Sequence, residues 1–372
     1  MSVEALHLVE ARSCSWAALR SLALLTRGAE RVRHRVALVG SAGADRAAAA
    51  GLGSADRLAA PSQIAEAARP GLARFIRARG APDIIVAWSA STAALAALGA
   101  PRVPRAVVLG TPPPAFDRSL GGFRRARALR TAALLIPSSR WLRDLWVARF
   151  TLLGAPSRAL SLPHATLDPD RRARLRREWD LPESTRLVVG LGEPEDAVDA
   201  RELIFLAGVL AVAGVPTALL TCPGAGDLER GLRFAEFSRP VIRVMVDDRP
   251  LDELLPACDL GVWIDLPAHP SLGHRPGYSL RSGVQSLAWA AHAGLPVVAQ
   301  DHPASREVLI GAPRAHFAPD RQRRTMTGAM LDALSAFGPF ETADSAESIA
   351  RWRSRLDTEL IAAAGTRVFA EA

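Results

Sequence analysis

Twice along this chain, short aliphatic runs alternate with longer, alanine-rich stretches of helical character. The runs in the first half are RVALVG, DIIVAW, RAVVLG and ALLIP. Those in the second are RLVVGLG, PTALLTC, PVIRVMV, LGVWID and LPVVAQ. They lack the two-residue alternation of a strand with one wet face, so each predicts a strand covered on both sides. Covered strands separated by helices pair in parallel, because a parallel neighbour requires a long crossover and the helix supplies it. The expectation is an α/β chain with two doubly wound parallel sheets. A length of 372 residues agrees with two domains, since single cores of that size are uncommon.

The rhythm breaks once. After ALSLPHATLDP comes RRARLRREWDLP, read as a solvated linker helix closed by a Leu-Pro turn, before a fresh buried strand. This predicts an amino-terminal Rossmann-like domain over 1–165 and a second over 166–345. In the remaining 346–372, a helical stretch from Ala346 to Ala363 has no strand after it and is able to fold back across either domain. A helix is also predicted near Pro61 to Arg79. The uncharged segment Ile204 to Gly226 has the length of a membrane span, but Gly214, Val215 and Pro216 divide it into a helix and a strand. Open sheets of this kind bind ligands beyond the carboxyl ends of their strands, so two facing sheets place any small-molecule site in a central cleft.

Composition narrows the chemistry. The net charge of +8 comes from arginine alone, for the chain has no lysine and no asparagine. A Schiff-base lysine, a pyridoxal anchor and a phosphate-loop lysine are therefore excluded. A basic chain suits nucleic acid, an anionic membrane or phosphorylated small molecules. Motifs that read nucleic acid are missing, so nucleic acid is not expected. Cys14, Cys222 and Cys258 have neither zinc nor disulfide-framework spacing, and no secretory leader opens the chain, which predicts a reducing cytoplasm. His269 and His274 lack a third ligand at zinc spacing, so no metal is expected. No nucleophile elbow or Cys-His pair points to a hydrolase.

In order and spacing, PSSRWLRDLW, LPHATLDP, RRARLRREWDLP, RLVVGLGEPEDAVD, LLPACDLGVWID and AGLPVVAQDHPASREVL resemble family 4 glycosyltransferases, over about Pro82 to Asp320. These are retaining enzymes of GT-B architecture, two Rossmann-like domains facing a central cleft. The resemblance implies a nucleotide-sugar donor, no other cofactor, and sugar transfer. Its functional groups do not carry over. Leu191 and Asp196 stand where the resemblance implies the arginine and lysine that neutralise the donor diphosphate, with Ala197 in place of the following glycine. Arg281 and Trp289 replace its two glutamates, eight residues apart, that touch the donor sugar and the ribose. Val86 and Trp88 are the candidates for the histidine of PDIIVAWSAS, and VEARSCSWAAL replaces the glycine-rich acceptor loop. No catalytic residue is assigned.

A donor or small-anion site is still expected at Gly192, Arg275, Arg281, Ser282, Gly283 and Trp289. Ser282 and Gln285 have capping-box spacing and Gly294 ends the helix, whose amino end would attract an anion. Arg275 and Arg281 stand beside it to replace the lost cations. For Trp289 the alternatives are filling the nucleotide pocket, stacking on another ligand, or packing in a core helix. Glu193, Glu195 and Asp196 read as a solvated loop or helix start rather than as acid and base. Arg118 to Arg130 interleaves Leu120, Phe123 and Leu129 with arginines, as a helix lying on anionic lipid does, giving a cytoplasmic protein with peripheral membrane contact. Three functions follow: a transferase homologue with an eroded donor site, divergent or inactive; an active transferase using Arg275 and Arg281; or a non-catalytic scaffold of envelope glycan synthesis.

Overall fold

The computed structural model describes residues 2–11, 14–26, 31–41, 43–60, 65–113, 119–152, 154–160, 170–193, 198–237, 242–264, 283–320, 322–336 and 346–365. Among them, twelve strands form two six-stranded sheets, one in each of two compact units. The first sheet contains β1 (Val3–Val9), β2 (Val32–Val39), β3 (Asp56–Leu58), β4 (Ile84–Ala87), β5 (Arg105–Leu109) and β6 (Leu134–Pro137), in the order β3-β2-β1-β4-β5-β6. The second contains β7 (Arg186–Leu191), β8 (Thr217–Thr221), β9 (Arg243–Val246), β10 (Leu260–Trp263), β11 (Val297–Gln300) and β12 (Ala315–Ala318), in the order β12-β11-β10-β7-β8-β9. All pairs are parallel. Each sheet starts at its centre, winds outward, returns and winds out the other way, which is the doubly wound Rossmann order.

Three strands escaped the apolar-run reading. Strand β1 carries Glu4 and His7, β3 carries Asp56 and Arg57, and β12 carries His316, so each run is broken by a polar residue. In β1, Ala5 and Val9 enter one core cluster while Leu6 and Leu8 enter another, so successive residues face opposite sides.

Helices α1 (Trp16–Thr26), α2 (Ala44–Ala47), α3 (Arg69–Arg79), α4 (Ala90–Gly99), α5 (Leu120–Arg130) and α6 (Arg140–Phe150) belong to the first unit. The helix expected near Pro61 to Arg79 is α-helical only from Arg69, after a 3-10 turn over Ala65–Ala68, with Pro70 in its first turn. Helices α4, α5 and α6 start on Ser89, Ser119 and Ser139, whose hydroxyls accept the N–H of Thr92, Gly122 and Leu142. The second unit holds α7 (Asp170–Glu178), α8 (Ala200–Val212), α9 (Leu228–Phe237), α10 (Leu251–Leu254), α11 (Gln285–His292), α12 (Pro303–Val308) and α13 (Arg323–Ala336). The uncharged segment from Ile204 resolves into the end of α8 and the strand β8. No helix among the described residues is long and apolar enough to cross a membrane.

Helix α14 (Ala346–Gly365) belongs to the first unit. Its Trp352, Leu356, Leu360 and Ala363 form a stripe at helical spacing that joins Leu19, Leu22 and Leu25 of α1 and Val32 and Val36 of β2 in one core. The last helix thus covers a sheet whose first strand lies at the other end of the chain.

The reading of RRARLRREWD as a solvated helix is corrected. Within α7, Arg176 is 1% exposed. Its guanidinium donates to the carbonyls of Pro182 and Thr185, both at 2.6 Å, to that of Ala257 at 3.2 Å and to the Asp259 carboxylate at 3.2 Å. Asp259 also accepts from Arg172 at 2.8 Å and from the Leu187 N–H at 2.8 Å. The helix is therefore bolted to the start of β7 and β10, and only the fork of an arginine reaches so many acceptors at once.

Arg176→Ala should cost about 3 kcal/mol of stability, because it removes at once a buried guanidinium's hydrogen bonds to three carbonyls and one of the arginines paired with the buried Asp259. Arg177→Ala, on the exposed face, should stay within about 0.5 kcal/mol; urea unfolding of the two variants gives the comparison.

Candidate functional site

In a doubly wound sheet the ligand crevice opens beyond the carboxyl ends of the two central strands, where successive connections leave in opposite directions. In the second sheet those strands are β7 and β10. Strand β7 leads through Leu191 and the buried Gly192 to Glu193, which is 2% exposed. Beyond β10, the described chain resumes at Gly283 and enters α11 at Gln285.

Here the chain grips itself. One oxygen of the Glu193 carboxylate accepts the N–H of Gln285 at 3.0 Å, and the other accepts the N–H of Ser286. The Glu193 carbonyl accepts the N–H of Gly283 at 2.7 Å, and the indole N–H of the buried Trp263 donates to the Gly283 carbonyl at 2.8 Å. The first amides of α11, where unpaired N–H groups and the helix dipole favour negative charge, thus hold an anion that belongs to the protein. Gly283 permits this approach, because a Cβ added there would lie 2.8 Å from a Glu193 carboxylate oxygen. Beside the two capped amides, the Gln285 Oε1 and Ser286 Oγ atoms are buried without a hydrogen-bond partner among the described residues.

Two expectations need correction. Glu193 is neither solvated nor at the start of a helix; it is sealed in the crevice by its hydrogen bonds. The N-cap of α11 is Val284, which makes no side-chain cap, and the Gln285 N–H goes to a carboxylate 92 residues away. A local S-x-x-Q spacing could not reveal that, nor the part played by Trp263. Of the candidate residues, Gly192 and Gly283 meet around Glu193. Trp289 is buried, 2% exposed, on α11 itself. Arg275, Arg281 and Ser282 lie outside the described residues, as do Glu195, Asp196, His269 and His274.

The matching position of the first sheet, between β1 and β4, is also filled from within. Trp88, just past β4, donates its indole N–H to His7 Nδ1 at 3.0 Å. Since indole can only donate, His7 carries its proton on Nε2 and donates it to His34 Nδ1 at 2.9 Å, which leaves His34 Nε2–H for Asp357 of α14 at 3.3 Å. The hydrogen-bond chain therefore has one direction and joins β4, β1, β2 and α14. Burial, and secondarily the nearby His34, push the His7 imidazole well below its ordinary value. Val86, the other candidate for the active-site histidine of PDIIVAWSAS, lies in the core. Among the described residues no three potential ligands converge as a metal site would require.

On α5 the buried residues are Gly122, Ala126, Ala128 and Leu129, while Leu120 and Phe123 are 66% and 56% exposed. Arg124 and Arg127, also exposed, share that outer face at helical spacing.

No protein-family model matches the chain, and no curated protein matches it in sequence. Solved structures match its fold. HepE of Anabaena, in complex with UDP and glucose, aligns with 97% of this chain and 100% of its own, at a TM-score of 0.64 and 14% identity. A glycosyltransferase of Rickettsia africae ESF-5 aligns over 97% and 93%, at 0.61 and 10%. A UDP-N-acetylglucosamine 2-epimerase of Rickettsia bellii aligns over 98% of each chain, at 0.57 and 10%. At such identities the likeness shows the fold: an α/β chain of the GT-B class, with two Rossmann-like sheets. Transferases and epimerases share it, so the fold alone does not assign the reaction.

His7 gives the first unit a pH dependence with a definite sign. Its pKa is lower folded than unfolded, so the stability that comes from keeping it neutral is present above its ordinary value of 6.5 and is lost as pH falls below that value. Chemical unfolding between pH 7 and 5 should show that loss, and His7→Phe should flatten it.

Proposed function

We propose that this chain is a GT-B homologue of nucleotide-sugar glycosyltransferases whose donor site has been eroded, leaving sugar transfer altered or lost. The observation that carries the reading is the Glu193 carboxylate on the first amides of α11. A donor diphosphate drawn to the same amides would meet a like charge. At about 4 Å and an effective dielectric of 20, one such pair costs about 4 kcal/mol, roughly half of a micromolar binding energy. Other positions in the sequence point the same way. Leu191 and Asp196 offer no cation to the diphosphate, Trp289 offers the ribose no carboxylate, and Trp88 is already bonded to His7.

Thermal melting of the full chain with UDP-glucose and other nucleotide sugars tests this. Ligands in large excess over their dissociation constants stabilise a protein by about 3 kcal/mol, so the eroded site should show no shift of that size. A strong shift abolished by Arg281→Ala would instead establish a working donor site built on Arg275 and Arg281.

A second reading concerns α5, whose exposed Leu120 and Phe123 favour peripheral docking on an anionic membrane. Two arginines near such a surface contribute about 1 kcal/mol each, and two inserted apolar side chains about 1.5–3 kcal/mol each. The sum suits reversible attachment. Sedimentation with phosphatidylserine-containing vesicles should exceed that with phosphatidylcholine alone, weaken with salt and drop in Phe123→Ser; binding indifferent to anionic lipid and to salt removes this reading.

A further inference from the structure

We infer that α9 carries a self-association surface, whose partner is α9 of a second copy of this chain, packed antiparallel about a two-fold axis. Such a surface is independent of the donor site.

Phe237, at the end of α9, is 90% exposed, and Phe234, one turn before it, is 40% exposed. Residues three apart are neighbours on a helix, so both rings lie on one outer face. The inner face is seated firmly. A Cβ added at Gly231 would lie 2.7 Å from Ile204 Cδ1 and 3.1 Å from Arg201 Cα, and Phe205 of α8 stacks on Phe234 with ring centroids 6.5 Å apart. Helix α9 thus lies close on α8 and leaves the Phe237 ring in water, where a protein ordinarily keeps large apolar groups only to meet something.

Charge selects the occupant. Helix α5 sets its exposed apolar residues among arginines and has no carboxylate, whereas α9 places exposed Glu229, Arg233 and Glu236 in one row at helical spacing beside the rings. An anionic surface would meet two carboxylates there. A second copy meets its own complement. In an antiparallel pair whose two-fold axis passes near Ala235, Phe234 of each copy falls within about one residue of Phe237 of the other, and Arg233 within about one residue of Glu236 of the other. One residue is only about 1.5 Å of rise, within the reach of these side chains. Both contacts are made twice, because a two-fold interface uses the same patch on each copy. Within the chain Arg233 pairs with Glu229 at 3.5 Å, with both side chains largely exposed, and a guanidinium has donors enough for a second carboxylate.

Sedimentation velocity of the full chain over a concentration series tests this. Wild type should pass from monomer toward dimer between about 1 and 100 µM, the range of a small, reversible interface. Phe237→Ser should raise the dissociation constant by about tenfold or more, since an aromatic at the centre of such a patch carries much of the binding. Arg233→Glu should weaken association as well, and the double variant Arg233→Glu/Glu236→Arg should restore it, because the swap rebuilds both pairs across the axis. Leu120→Ser, on the apolar face of α5, should leave it unchanged. A monomer throughout the series overturns the inference. So does a dimer indifferent to Phe237→Ser, a double variant no better than Arg233→Glu alone, or a loss in Leu120→Ser equal to that in Phe237→Ser, which would assign association to general apolar exposure.

Discussion

A helix whose amino end is buried in a crevice must find partners for N–H groups that its own turns cannot reach. In the second unit that requirement is met by one carboxylate, Glu193, brought by the strand next to the one that precedes α11. The arrangement at the sheet centre follows from it. Gly283 has to be glycine to admit the carboxylate, Trp263 holds the Gly283 carbonyl, and the Glu193 backbone closes on the Gly283 amide. The carboxylate thereby serves as a structural joint between β7 and α11.

The first unit ties its central strands together with side chains alone. Trp88, His7 and His34 pass hydrogen bonds in one direction to Asp357, so the position beyond β4 is spent on tying the last helix to the central strands. Burial keeps His7 neutral, and neutrality is what lets one ring nitrogen accept while the other donates. In the second unit a carboxylate from the end of β7 takes the first amides of α11, and in the first an indole just past β4 opens a side-chain relay along β1 and β2 to Asp357.

Having no lysine, the chain makes its cationic contacts chiefly with arginine, and the arginines divide by position. Arg176 is a buried fork among carbonyls and Asp259, a task that a point-charge ammonium could not perform. Arg124 and Arg127 remain on an open face beside Leu120 and Phe123. Composition alone could not separate a buried structural arginine from an exposed one.

By itself the sequence determined the α/β class, the parallel pairing and nine of the twelve strands, because burial on both faces is written locally as an unbroken apolar run. Strands β1, β3 and β12 were hidden by residues such as His7, Asp56 and His316, whose polarity argues for surface until their partners are known. The tertiary structure alone decided that α14 belongs with the first sheet, that Arg176 is buried, and that Glu193 receives the first amides of α11. The physical reason is the same in each case. Hydrophobic periodicity is a property of neighbours in the chain, whereas the pairing that makes a buried charge or helix end tolerable joins residues such as Glu193 and Ser286, or His34 and Asp357, which only the folded chain brings within hydrogen-bond reach.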